Sequence, residues 1–178
     1  GGGYLAILYP ISGNFKNFEL SQGAGPHNLI VDNDGFVWFA GNLSSYIGKL
    51  NPDSGEIIKY HMPNKEVHDP HTLVFDNAGH IWFTVQHGNF IGKLTMKTGK
   101  IQLVKIPTPN ARPYGIRVDS KGRPWIVLFG SYKLATVNPQ TMLLEEYELP
   151  NKNSRPRRLA ITSDDKIWYV DYAEGFLG

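Results

Sequence analysis

The segment Pro70-His71-Thr72-Leu73-Val74-Phe75-Asp76-Asn77-Ala78-Gly79-His80-Ile81-Trp82-Phe83-Thr84 continues through Phe90-Ile91-Gly92-Lys93-Leu94 to Thr98-Gly99-Lys100-Ile101. Apolar and β-branched residues fill four short runs, 72–76, 80–84, 90–94 and 100–106. Asn77-Ala78-Gly79 and Lys97-Thr98-Gly99 supply turn chemistry after the first and third runs. No stretch of the chain keeps apolar residues at helical spacing over a useful length. This segment therefore predicts four short strands and almost no helix.

Outward from it, the pattern repeats. Tryptophans stand at Trp38, Trp82, Trp125 and Trp168, spaced by 44, 43 and 43 residues, and each follows a proline by 12: Pro26, Pro70, Pro113 and Pro156. Nine residues after each Trp an aliphatic residue precedes a small one: Ile47-Gly48, Ile91-Gly92, Leu134-Ala135 and Leu177-Gly178. Asn33-Asp34-Gly35 and Asp53-Ser54-Gly55 place the same turns one copy earlier. Four antiparallel strands per period of this length predict an all-β fold, a β-propeller of four-stranded blades.

The frame is cut inside a blade at both ends. Residues 26–69, 70–112 and 113–155 are whole copies, whereas 4–25 match the second half of a copy and 156–178 the first half. The complementary halves allow three arrangements: a closed four-blade ring made by strand exchange between the termini, two chains forming an eight-blade ring, or a segment of a six- or seven-bladed parent. Unpaired, the halves would leave exposed sheet edges.

Composition narrows the function classes. The 178 residues carry 41% hydrophobic and 19% charged residues, enough apolar material for a packed core. A net charge of +2 argues for no nucleic-acid partner, and the absence of cysteine removes disulfides, zinc–thiolate sites and cysteine nucleophiles. The apolar runs are far too short for a membrane span, and Gly1-Gly2-Gly3 has no positively charged leader character, so the compartment stays open. No phosphate loop, zinc motif or nucleophile elbow is present.

In a propeller the first strand of each blade lines a central channel. His27, His71, Tyr114 and Arg157 each follow a blade-opening proline, so they are expected to converge at one channel mouth. Asp69 and His71 are two residues apart, which in extended backbone puts both on one side. A carboxylate there would raise the basicity of the imidazole, so His71 is the expected general base. A metal on Asp69, or Arg157, would stabilise the negative charge that proton removal creates.

Plainer readings exist for each group. The histidines can be polar residues at a water-filled channel, and His68 a solvated linker residue. The tryptophans are expected in the core between blades, and Asp32, Asp76 and Asp119 in turn chemistry. All six His lie between residues 27 and 87 and all six Arg between 112 and 158. That segregation suits a mouth with an imidazole side and a guanidinium side for an anionic or carbonyl-rich ligand. Surface pairing of the arginines with Glu145, Glu146 and Glu148 is the alternative.

The pattern Pro-His-x-Leu-x-x-Asp-x-x-Gly-x-x-Trp-Phe-Thr, Ile-Gly-Lys-Leu, Thr-Gly-Lys-Ile resembles the virginiamycin B lyase family over essentially the whole chain. Ile106-Pro107-Thr108-Pro109-Asn110-Ala111-Arg112-Pro113 and Leu149-Pro150-Asn151-Lys152 look like that family's inter-blade linkers. The resemblance implies a seven-bladed propeller that uses Mg2+ to open the ester bond of cyclic streptogramin B antibiotics by elimination, an antibiotic-resistance activity. It implies catalytic roles for His27 and for His71 within Asp69-Pro70-His71, with Asp where the family has Glu. The family's further carboxylate falls on Val85 or Gln86 and is missing. Two more blade openings follow, carrying Tyr114 and Arg157 where the lyase chain would already have ended.

Two function classes follow: a carbon–oxygen lyase acting on a cyclic depsipeptide, and a non-catalytic module binding a peptide, protein or glycan over the same mouth. A metal hydrolase of the gluconolactonase type would require more channel acids. A homodimer completing a larger propeller is the expected assembly if the chain closes with a second copy.

Overall fold

The computed structural model describes residues 3–178; Gly1 and Gly2, on which the leader reading partly rests, lie outside it. Three four-stranded antiparallel sheets hold the whole copies. The first comprises β3 (Pro26–Val31), β4 (Val37–Gly41), β5 (Tyr46–Leu50) and β6 (Ile57–His61). The second comprises β7 (Pro70–Phe75), β8 (His80–Val85), β9 (Phe90–Thr95) and β10 (Ile101–Lys105). The third comprises β11 (Pro113–Val118), β12 (Pro124–Leu128), β13 (Lys133–Val137) and β14 (Leu144–Glu148). Among the described residues the sole helical element is a short 3-10 turn at Asn42–Ser44. The expected strands are therefore present, and each inner strand begins at the proline itself.

The two half-copies form separate two-stranded sheets: β1 (Tyr4–Tyr9) with β2 (Asn14–Glu19), and β15 (Pro156–Ile161) with β16 (Ile167–Asp171). Closure by strand exchange within the chain is thus not the arrangement adopted. Each half packs against its sequence neighbour: Leu5 and Phe18 join Phe39, Tyr46 and Leu50 in one apolar cluster, and Leu159 and Tyr169 join Val127 and Leu134 in another. A bridge between Val170 and Leu177 begins a third strand at the C-terminal half. The blades follow one another in chain order, with β3, β7, β11 and β15 side by side along the inner edge.

Burial between blades supplies the core. Trp38 lies with Leu73, Ile81 and Phe83 of the next blade, and Trp82 with Ile116, Ile126 and Ala135 of the one after. Both tryptophans are fully buried, whereas Trp168, with no described blade beyond it, is 44% exposed. An aspartate fixes three of the four. Asp76 Oδ1 accepts the backbone N–H of Ala78 and His80 while Oδ2 accepts Trp82 Nε1–H at 2.9 Å. Asp32 and Asp119 do the same for Trp38 and Trp125. The turn reading of this aspartate series is correct and incomplete, because each carboxylate also orients a core indole. In the last copy Thr162 takes that position, and its hydroxyl accepts Lys166 N–H.

Paired strands show a second repeated fit. Phe39 stands opposite Gly48 and Phe83 opposite Gly92, each ring lying where a glycine Cβ would project. In the third blade the same pair is Ile126 and Ala135.

Candidate functional site

Every blade opens with a break in register, between Pro26 and Leu29, Pro70 and Leu73, Pro113 and Ile116, and Pro156 and Arg158. Proline cannot donate to the ladder, and the residue before it is left-handed in three copies: Gly25 (φ 54°), Asp69 (φ 57°) and Arg112 (φ 48°). Such bulges re-aim side chains and recur beside functional sites.

Here they turn one side chain from each inner strand toward its neighbours. The His27 and His71 ring centroids are 3.8 Å apart, and His71 and Tyr114 are 4.4 Å apart. Tyr114 continues to Phe129 at 5.8 Å, and Phe129 to Tyr172 at 5.8 Å. The Arg157 guanidinium lies 5.0 Å from the Tyr114 ring, 5.5 Å from Phe129 and 5.0 Å from Tyr172. His27, His71, Tyr114 and Arg157 thus form one continuous row across four inner strands. Polar ties between blades hold it in place: Asn28 Oδ1 accepts Leu73 N–H at 2.9 Å, and Thr84 Oγ1 donates to the Tyr114 carbonyl at 3.1 Å.

Asp69 takes a different place from the one alternation predicts. Its left-handed backbone breaks the two-residue alternation, and its carboxylate turns to the β8–β9 turn of the following blade. There Oδ2 accepts His87 Nδ1–H at 2.7 Å, and the two oxygens also accept the backbone N–H of His87 and Gly88. His71, 3% exposed, shares a hydrogen bond with Thr72 Oγ1 at 2.9 Å through Nδ1. The expected rise in His71 basicity is reversed. Burial, then the neighbouring His27, Arg158, His87 and Arg157, push its pKa down to about 3, so the ring is neutral at physiological pH. His68 is exposed, with its ring on the Glu66 carbonyl.

The described residues do not by themselves complete a magnesium site. Among the described residues no three His, Asp or Glu side chains gather as a ligand set, and both Asp69 oxygens already accept N–H donors. Val85, where the resemblance places a carboxylate, is buried in the apolar core, and Gln86 beside it is neutral. No chemical step is therefore assigned to a metal.

The glutamates offered as arginine partners are engaged elsewhere. Glu146 pairs with Lys133 at 2.9 Å, Glu145 accepts Tyr147 O–H, and Glu148 accepts Tyr132 O–H. Among the described residues neither Arg157 nor Arg158 has a carboxylate within ion-pair distance. Two grooves of 450 and 500 Å³ lie at the opposite end of the blades, around Asp76. They are lined largely by turn residues, and the Asp76 carboxylate in both is bonded within its own turn.

Sequence reasoning missed Phe129, Tyr172 and the pairing of His87. Phe129 and Tyr172 both stand four residues after a repeat tryptophan, so the register alone could have placed them at the mouth. Gly25, at the position of Asp69 one copy earlier, was the signal for a positive φ.

Comparison with known proteins agrees with this architecture. The selenomethionine-substituted virginiamycin B lyase from Staphylococcus aureus superposes with a TM-score of 0.77 at 28% identity, over 89% of this chain and 56% of that one. A catalytically inactive histidine-to-alanine variant of the Staphylococcus aureus lyase, solved with quinupristin, gives 0.79 at 27% identity, over 98% and 58%. The extracellular domain of a putative one-component system from B. thetaiotaomicron gives 0.74 at 13% identity, covering 98% of this chain and 25% of that one, a likeness of fold alone. No curated protein matches the sequence significantly. The chain spans 56% to 58% of the length of the lyases it matches, so it corresponds to just over half of such a propeller. The sequence model of the virginiamycin B lyase family matches residues 9–178, covering all three whole blades and the C-terminal half-blade, and the chain belongs to that family.

Proposed function

We propose that this chain contributes the inner-strand wall of a carbon–oxygen lyase site that opens an ester of a cyclic depsipeptide of the streptogramin B type by elimination. The observation that carries the reading is the continuous row His27–His71–Tyr114–Arg157, with a neutral buried imidazole at its centre and a guanidinium at its end. Elimination needs a base without a proton and a cation facing the charge that develops. In this reading His71, with His27 stacked on it, accepts the proton from the carbon next to the carbonyl. The electrons of that C–H bond form the Cα=Cβ double bond. The Cβ–O bond breaks, and the ester oxygen leaves in a carboxylate facing Arg157 and Tyr114. The low basicity of His71 makes it a weak base, so positioning and the cationic surroundings carry more of the work.

Incubation with a streptogramin B and mass spectrometry tests this. Elimination leaves the product mass unchanged, whereas hydrolysis adds one water. The expected result is a ring-opened product of unchanged mass that His71→Ala abolishes. An intact ring removes the lyase reading, and full activity in His71→Ala removes the role of that residue.

A second reading has its own support. The Asp69 carboxylate faces His87, and Val85 is apolar, which favours a propeller mouth that binds a peptide-like ligand without turning it over. Saturable binding of the antibiotic with no change in the ligand would establish it.

A further inference from the structure

The row of rings ends in two guanidinium groups on one phenol. Arg157 Cζ is 5.0 Å and Arg158 Cζ 4.8 Å from the Tyr114 ring, although successive strand residues ordinarily point to opposite faces. The break in register between Pro156 and Arg158 brings both to the same ring. Arg157 is further boxed by Phe129 and Tyr172 and touches the Tyr114 hydroxyl through Nη2 at 3.4 Å. Three rings lie within 5.5 Å of that guanidinium, yet its hydrogen-bonding fork meets no carboxylate among the described residues. Two guanidinium groups that share one ring and have no carboxylate within ion-pair distance among the described residues leave a positive field at that ring, which an anion would neutralise. A planar carboxylate matches the fork in two parallel hydrogen bonds. The neighbouring wall of His27, His71, Tyr114, Phe129 and Tyr172 is a ribbon of π-faces suited to a flat aromatic group.

We infer that the mouth recognises a ligand carrying a carboxylate and an aromatic group, the carboxylate on Arg157 and Arg158 and the ring on the Tyr114–Phe129–Tyr172 segment. This names the ligand class of the same mouth and rests on reading it as a ligand site. It also bears on the elimination, because breaking the ester creates a carboxylate that these arginines would retain as product.

Titration calorimetry on the chain with N-acetyl-phenylalanine, its C-terminal amide, acetate and inorganic phosphate, all at one ionic strength, tests it. The acid should bind about tenfold or more tightly than the amide, in keeping with a charge-assisted bidentate contact. Acetate and phosphate should be weaker than the acid. Arg157→Gln should bring the acid down to the level of the amide, while Tyr172→Leu should weaken acid and amide alike. Equal affinity for acid and amide, phosphate binding as tight as the acid, or an unaltered Arg157→Gln would each overturn the inference. The two proposals fail separately. Acid-selective binding with an uncleaved antibiotic leaves this site standing without the lyase. Ring opening without acid selectivity leaves the lyase without this site.

Discussion

The two ends of the blades follow opposite rules. At the turn end, Asp32, Asp76 and Asp119 occupy one repeat position and make the same three hydrogen bonds, to two backbone N–H groups and one indole. At the proline end, the equivalent positions carry His27, His71, Tyr114 and Arg157, four side chains of three kinds. Repetition marks the end that every blade needs in order to pack. Divergence marks the end free to be shaped for a ligand. Substitutions at the turn end should therefore cost stability and leave recognition alone, and those at the proline end should do the reverse.

The largest expected effect is Trp82→Ala. Removing a fully buried indole between two blades should destabilise the chain by about 3–5 kcal/mol in denaturant unfolding. Asp76→Ala should follow, at roughly 2 kcal/mol, because it leaves the buried Trp82 Nε1–H and two turn N–H groups without their acceptor. A loss below about 0.5 kcal/mol in either would break the contrast.

Acid should expose the same latch. Burial alone would raise the pKa of Asp76 and Asp119, but the N–H donors around each carboxylate outweigh it and hold both below the usual carboxylate range. A carboxylate depressed in the folded state contributes stability that is present above its ordinary value near 4 and is lost as pH falls from there through the lowered folded-state value. The double variant Asp76→Asn, Asp119→Asn should show a flatter fall in melting temperature between pH 5 and pH 3, measured by circular dichroism. An identical fall would remove the latch as its cause.

Trp168→Ala, the same repeat position without a described blade beyond it, should cost less than about 1.5 kcal/mol, since a half-exposed indole gives up less burial. The smallest stability effect is expected from Arg157→Gln, within about 0.5 kcal/mol, alongside the binding change described above. A large stability loss there would recast the aromatic box as a structural clasp.

The reach of the sequence follows from which interactions are local. The blade count, strand order and inter-blade indoles were legible because Pro, Trp and the Gly turns recur every 43 or 44 residues. The convergence of His27, His71 and Tyr114 was also legible, since repeat register fixes it. The direction of the Asp69 carboxylate was not. An alternating-strand argument assumes extended backbone, and the left-handed φ at Asp69 invalidates it two residues before the histidine it was meant to serve. The separation of the two half-blades was equally out of reach, because pairing between residues 4–19 and 156–171 is a question of global closure and not of local pattern. Phe129 and Tyr172 were readable from register and became meaningful once Arg157 was seen between them.

The rings that sit over glycines have a consequence for how such blades change over evolutionary time. Phe83 over Gly92 and Ile126 beside Ala135 are two solutions to one volume requirement. Moving from the first to the second one residue at a time passes through a poor intermediate. Phe83→Ile alone leaves a hole above Gly92, and Gly92→Ala alone drives a methyl group into the Phe83 ring. The pair is therefore expected to be inherited together, so that copies of a duplicated blade diverge readily at the proline end and only in coupled steps across β8 and β9.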